Sequence, residues 1–240
     1  MNRDVPQPPP ASSATPDMNL PRTLEPEAMD DAAEVREYQQ MDHSGVNQRF
    51  VDDLLSGGPV GSRVTDLGCG TCDILVRLCQ QCDSVEGLGI DCSIEMLEVA
   101  RLEIELGSVT GRIQLEHADC KTLEGFEAAT ADTVISNTML HHLAEPDLAV
   151  GRALHLLKPG GRLFLRDLMR PQTADQVEAL VTEHAGSESD YAKQLLRQSL
   201  HAALTLDEAR AMFAAFGIPG EAVAATSDRH WTLDWQRPCE

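Results

Sequence analysis

From Arg63 to Leu168 the chain alternates short apolar runs with helical patterns, and this alternation restricts the fold more than any other feature. Strands are expected at Arg63–Leu67, within Ser84–Asp91, at Gly111–His117, at Ala131–Asn137 and at Arg162–Leu168. Helical periodicity fills about Thr71–Cys82, Ser93–Leu106 and Asp147–Leu157, the last stopped by Lys158-Pro159-Gly160-Gly161. Strands separated by helices of this length require crossover connections, hence a parallel sheet covered by helices on both faces. The end of the chain breaks the pattern. Gln172–His184 and Tyr191–Leu204 are helical, and Thr205 with Glu208 spells a capping box for a helix running to Phe216-Gly217. Ala222–Thr226 and His230–Trp235 are then strand-like and joined only by Ser227-Asp228-Arg229, a connection that suits antiparallel neighbours. The expected fold is α/β: a doubly wound, mainly parallel seven-stranded sheet ending in an antiparallel hairpin.

A chain of 240 residues is long enough for one domain with a substantial core. Residues 1–26 hold Pro6, Pro8, Pro9, Pro10, Pro16, Pro21 and Pro26 with little apolar periodicity, which reads as a disordered tail before a domain over 27–240. Two helices are expected over 27–58, the first carrying Ala28, Ala32, Val35 and Tyr38, the second Phe50, Val51, Leu54 and Leu55, with a break around His43-Ser44-Gly45. A formal charge of -20, with basic residues scattered singly, argues against a nucleic-acid partner. No apolar run of ~18 residues points to a membrane span, and without an apolar leader the expected location is cytoplasmic. Cys69-x-x-Cys72 and Cys79-x-x-Cys82 have the look of zinc pairs, but the last three cysteines would lie along one rigid helix. At ~1.5 Å rise per residue, Cys72 and Cys79 are about ten ångströms apart, too far to close a tetrahedron. They read as small, partly buried thiols, and no metal is expected.

In an open parallel sheet, ligands bind beyond the carboxyl ends of the strands. After the first strand stands Asp66-Leu67-Gly68-Cys69-Gly70, whose glycines suit a tight turn and close approach of a ligand. Asp91 ends the second strand where it can accept from the two hydroxyls of a ribose. Asp119 follows the third strand, placed to accept from an exocyclic amine. A glycine turn followed ~20 residues later by an acid is also the fingerprint of NAD enzymes. Two features oppose that reading: position 73, where the third glycine would fall, is Asp73, and Asp66 adds a second carboxylate beside a site that would have to hold pyrophosphate. A ligand carrying ammonium and sulfonium groups tolerates both acids.

These residues, with Ser136-Asn137-Thr138-Met139-Leu140-His141-His142 and Leu157-Lys158-Pro159-Gly160-Gly161, resemble the class I S-adenosylmethionine-dependent methyltransferases, in particular the type 11/25, UbiE-like group acting on small molecules. The resemblance covers Val64 to about Leu168, and the family's third glycine is replaced by Cys72. It implies a Rossmann-like methyltransferase fold and S-adenosyl-L-methionine as cofactor. It also implies roles for particular residues. Asp66 would orient the cofactor's amino-acid end through the loop Gly68-Cys69-Gly70. Asp91 would hold the ribose, with Cys92 and Met96 against the adenine, and Asp119 would take the adenine amine, helped by backbone at Cys120. Asn137 would line the methionine end. The segment 27–58 would supply lid helices, with Tyr38, Met41 and His43, and 172–204 a helical substrate cover that includes Tyr191.

The family's reaction is an in-line displacement at the sulfonium methyl, so positioning and exclusion of water matter most. A base is needed only where the acceptor must lose a proton. His141 or His142, after the fourth strand, is the candidate base, with packing or capping as the alternative role. Arg166, Asp167 and Arg170 are candidates for orienting the acceptor, with a structural Arg166–Asp167 pair as the alternative. The expected partner is a small-molecule acceptor, and no motif specifies its methylated atom. A binding protein that retains the cofactor without turnover, or an NAD-dependent oxidoreductase, are the competing readings.

Overall fold

The computed structural model describes residues 20–25 and 43–239; the helix expected around Ala28–Tyr38 and most of the Pro-rich segment lie outside the described residues. Seven strands form one sheet in the order β3-β2-β1-β4-β5-β7-β6. These are β1 (Arg63–Leu67), β2 (Glu86–Asp91), β3 (Ile113–His117), β4 (Ala131–Asn137), β5 (Leu157–Leu168), β6 (Val223–Ala225) and β7 (His230–Gln236). The first five pair in parallel, while β7 runs antiparallel to both β5 and β6. The hairpin inferred from the short connection is therefore present.

The helices are α1 (Ser44–Ser56), α2 (Asp73–Gln81), α3 (Ile94–Leu106), α4 (Pro146–Leu156), α5 (Ala174–Ala185), α6 (Asp190–Ala202) and α7 (Leu206–Ala214). Residues of α1, α2 and α3, among them Phe50, Leu54, Leu75, Leu78 and Ile104, build one apolar layer with Val64 and Phe164. Residues of α4 and α7, among them Val150, Leu156 and Phe213, build the other with Leu163, Trp231 and Leu233. Phe213 meets Trp231 edge-on at 5.7 Å, and Phe50 meets Phe164 edge-on at 5.1 Å, so aromatic anchors hold a helix to each face. The capping box at α7 is formed as spelled: Thr205 Oγ1 accepts from the Glu208 N–H, and Glu208 accepts from the Thr205 N–H.

Two expectations change. The strand expected to begin at Arg162 begins at Leu157, because Leu157 pairs with Ala131 before Lys158-Pro159-Gly160-Gly161 bulges and Arg162 pairs with Thr133. Residues 20–25, expected to belong to a loose arm, are tied down instead. The Leu20 N–H donates to Gln172 O at 2.9 Å and the Thr23 N–H to His201 O at 3.0 Å. Backbone hydrogen bonds to α6 and to the start of the α5 segment override what proline content alone suggests.

Arg162 holds the antiparallel strand to the parallel part of the sheet. Its guanidinium grips Asp234 in a fork of 2.7 and 2.8 Å and donates to Leu54 O and Gly58 O at the end of α1. Arg162→Met is expected to lower the unfolding free energy by about 2–3 kcal/mol in urea titration, since it orphans the buried Leu54 O and the part-buried Gly58 O and removes the fork to Asp234.

Candidate functional site

The chain runs outward from β1 to β3 on one side and then returns to β4 on the other, so strand order reverses between β1 and β4. A cleft of about 380 Å³ opens there, beyond the carboxyl ends of the strands. The loop leaving β1 forms its floor. Gly68 (φ 68°), Gly70 (φ 51°) and Cys72 (φ 65°) are all left-handed, and the loop's N–H groups are used within the fold: Gly68 and Cys69 donate to Ile90 O, Gly70 to Asp91 and Cys72 to Cys69 O. A Cβ on Gly68 would lie 2.3 Å from Met139 Cγ, whereas Gly70 has open space around it. Cys72, where the family carries glycine, tolerates the strained conformation with its thiol buried in the α1–α3 layer.

Each carboxylate of the cleft has a distinct environment. Asp91 Oδ2 accepts from the Gly70 N–H at 2.8 Å and Oδ1 from the Ser93 N–H at 2.9 Å, so this residue ties the first loop to the second strand. The cap of α3 is Ser93, whose hydroxyl accepts from the Met96 N–H, and Asp91 keeps lone pairs for a ligand. Asp66 is buried, and its Oδ1 receives no hydrogen bond from the described residues. Burial first, then the charge of Asp91, raise the Asp66 carboxyl well above the usual range. Burial also raises Asp91, against the backbone N–H groups that favour its charged form. Asp119 Oδ1 accepts from the Lys121 N–H at 2.8 Å. The Cys120 thiol is pushed up to about 12 by burial and by Asp119, which makes it a neutral wall rather than a nucleophile.

The structure brings together Asp66, Gly68, Cys69, Gly70, Asp91, Cys92, Met96, Asp119, Cys120 and Asn137 on the wall of this one cleft. Their chain separation explains why spacing alone could not show it: they come from the ends of β1, β2, β3 and β4. Sequence reading missed Asn47 and Met139. Asn47, on α1, lines the far side and donates to Asp73 Oδ2 at 2.9 Å. Arg77 Nε donates to the same oxygen at 2.7 Å, so the charge of Asp73 is paired and opposes an anionic ligand less than its position suggests. Asp66 and Asp91 carry that argument alone.

Neither candidate catalytic residue reaches the cleft. His141 is 3% exposed and fixed between two carboxylates, with Nδ1 2.5 Å from Asp167 Oδ1 and Nε2 3.2 Å from Glu25 Oε1. Burial disfavours its charge, but Asp167 and Glu25 outweigh that and hold the imidazole up to about 9. His142, its neighbour in a 3-10 turn, lines the cleft instead. A single residue of offset separates the two, and periodicity could not choose between them. Arg166 is buried under α1, where it donates to Asp53 and Thr232 and lies over the Phe50 and Phe164 rings. Arg170 is spent on Leu20 O, Ala203 O and Glu208. Both arginines have structural roles, and Asp167 pairs with His141 rather than with Arg166.

Residues 64–161 match a family model described as a methyltransferase domain. Over that stretch the chain is similar to methyltransferase domains. It is 28% identical over 195 residues to the 27-O-demethylrifamycin SV methyltransferase of Amycolatopsis mediterranei, covering 80% of this chain and 67% of that protein. It is 35% identical over 126 residues to a ubiquinone biosynthesis O-methyltransferase of Xylella fastidiosa, covering 52% of this chain and 49% of that protein. The chain thus spans about half the length of the ubiquinone relatives and two thirds of the rifamycin one. The fold is shared with a SAM-dependent methyltransferase from Aquifex aeolicus, at a TM-score of 0.63 and 14% identity over 86% of this chain and 98% of that one. Among the described residues no helix is long and apolar enough to cross a membrane.

Gly68→Ala is expected to cost more than Gly70→Ala in equilibrium unfolding. Both pay about 1–2 kcal/mol for a left-handed Ala, but only at Gly68 must Met139 also be displaced. Equal losses for the two variants would show that Met139 yields freely.

Proposed function

We propose that this chain transfers the methyl group of S-adenosyl-L-methionine to a hydroxyl of a small molecule. The observation that carries the reading is buried Asp66 beside half-buried Asp91 at the left-handed glycine loop, with Asp66 Oδ1 receiving no hydrogen bond from the described residues. Two like charges in one desolvated cleft favour a cationic ligand and oppose a pyrophosphate. The cofactor supplies an already activated methyl on a sulfonium, so the protein's task is positioning.

In this reading Asp66 faces the ammonium end, and Asn137 lines the methionine portion. Asp91 accepts from the ribose hydroxyls with the lone pairs that Gly70 and Ser93 leave free. Cys92 and Met96 flank the adenine, Asp119 accepts from its amine, and the Cys120 backbone assists. The small-molecule acceptor, and oxygen as its methylated atom, are supported by the names of the rifamycin and ubiquinone relatives. The segment 172–204, which packs α5 against α6 around Val177, Val181 and Leu200, serves as the substrate cover, and 27–58 supplies the lid through α1.

Two measurements test this. Asp91→Ala is expected to abolish binding of S-adenosylmethionine in calorimetric titration, and unchanged affinity would remove the ribose assignment. Because the folded Asp66 carboxyl is raised, a cation entering beside it favours its ionised form. Binding is therefore expected to release a proton and to tighten as pH rises through the Asp66 titration. Asp66→Asn should abolish both the proton release, seen by calorimetry in buffers of different ionisation enthalpy, and the pH dependence.

A further inference from the structure

The segment Leu20–Glu25 carries a carboxylate into the protein interior. Arg22 anchors it by donating to Ala202 O at 2.6 Å, Leu143 O at 2.9 Å and His141 O at 3.2 Å. Glu25, with its side chain 7% exposed, is thereby aimed at the two histidines that follow β4. Its Oε2 accepts from the Ser199 hydroxyl at 3.2 Å. Its Oε1 lies 3.2 Å from His141 Nε2 and 3.1 Å from His142 Nδ1, close contacts that fall short of hydrogen-bond geometry among the described residues.

We propose that Glu25, His141 and His142 form a binding site for one divalent transition-metal ion of the zinc class. The three donor atoms lie within 4.8 Å of one another. The two Glu25–imidazole separations match the edge of a tetrahedron around an ion with bonds of ~2.0 Å, which is about 3.3 Å. Two imidazoles and one carboxylate are the donor set such ions prefer. Asp167 completes the arrangement from behind: its Oδ1 takes the His141 Nδ1 proton at 2.5 Å, and its Oδ2 accepts from the His141 N–H at 3.1 Å. That outer carboxylate fixes the tautomer leaving His141 Nε2 as a lone-pair donor towards Glu25. The two buried acids, Glu25 and Asp167, require positive charge beside them, and a metal ion supplies it as a proton on His141 otherwise does. His142, with its side chain 24% exposed, lines the cleft, so the fourth coordination position opens towards it. An oxygen ligand bound there would be acidified next to the cofactor, a placement that rests on the proposed function; the metal site itself does not.

The site had no sequence signal, because 116 positions separate Glu25 from His141. The full chain, stripped with a chelator and titrated with cobalt(II), is expected to take up one ion and show visible absorption of four-coordinate intensity. Glu25→Gln and His142→Ala should each weaken cobalt binding at least tenfold, with far-ultraviolet circular dichroism unchanged and, for Glu25→Gln, an unchanged affinity for S-adenosylmethionine. Failure to bind cobalt at millimolar concentration would overturn the proposal. So would uptake that survives both substitutions or shows thiolate charge-transfer bands, since the ion would then sit elsewhere. Loss of S-adenosylmethionine binding by the unsubstituted chain would count against the proposed function, and the cobalt result would stand separately.

Discussion

The central strand β1 is the constraint on which the rest depends. It pairs with β2 through five residues on one side and with β4 on the other, and the chain's direction of growth reverses across it. Reversal sends the crossover helices to opposite faces, so the loops leaving β1 and β4 splay apart and leave a crevice. Everything in the site hangs from that seam. The Gly68 and Cys69 N–H groups donate to Ile90 O, and the Ser136 hydroxyl donates to Leu67 O, which locks the ends of β1, β2 and β4 at one level. The Gly70–Asp91 bond then fixes the loop over them.

Buried charge is handled differently on the two sides of this seam. On the cleft side, Asp66 and Asp91 form no salt bridge among the described residues, and burial raises both. On the β5 side, every buried charge is paired: Arg162 with Asp234, Arg166 with Asp53, Arg170 with Glu208 and His141 with Asp167 and Glu25. Desolvated charge without a partner is costly, so it persists where a ligand of opposite charge completes it.

Much of this was legible in the chain. The spans of β1 and β4, the Thr205–Glu208 capping box and the final hairpin follow from local chemistry: period-two or period-3.6 apolar spacing, a hydroxyl before a helix, and a connection too short to cross over. The acids and glycines of the cofactor side were equally plain, since each stands immediately after a strand. His141 and Arg166 were misread because residue type and position after a strand do not say which way a side chain turns. A 3-10 turn swings His141 inward and leaves His142 on the cleft, while Arg166 is drawn under α1 by Asp53 and two aromatic rings.

By itself, the sequence determined the layered α/β architecture, the glycine loop and the line of carboxylates at the strand ends, because those depend on contacts between near neighbours and on strand polarity. The tertiary structure alone decided which titratable groups meet: that Arg77 pairs with Asp73 while Asn47 donates to it, that the charge of Asp91 raises Asp66, and that Glu25 crosses to the histidine pair. Those pairings join residues tens of positions apart through packing of whole elements, and charge acts through distance in space rather than distance along the chain.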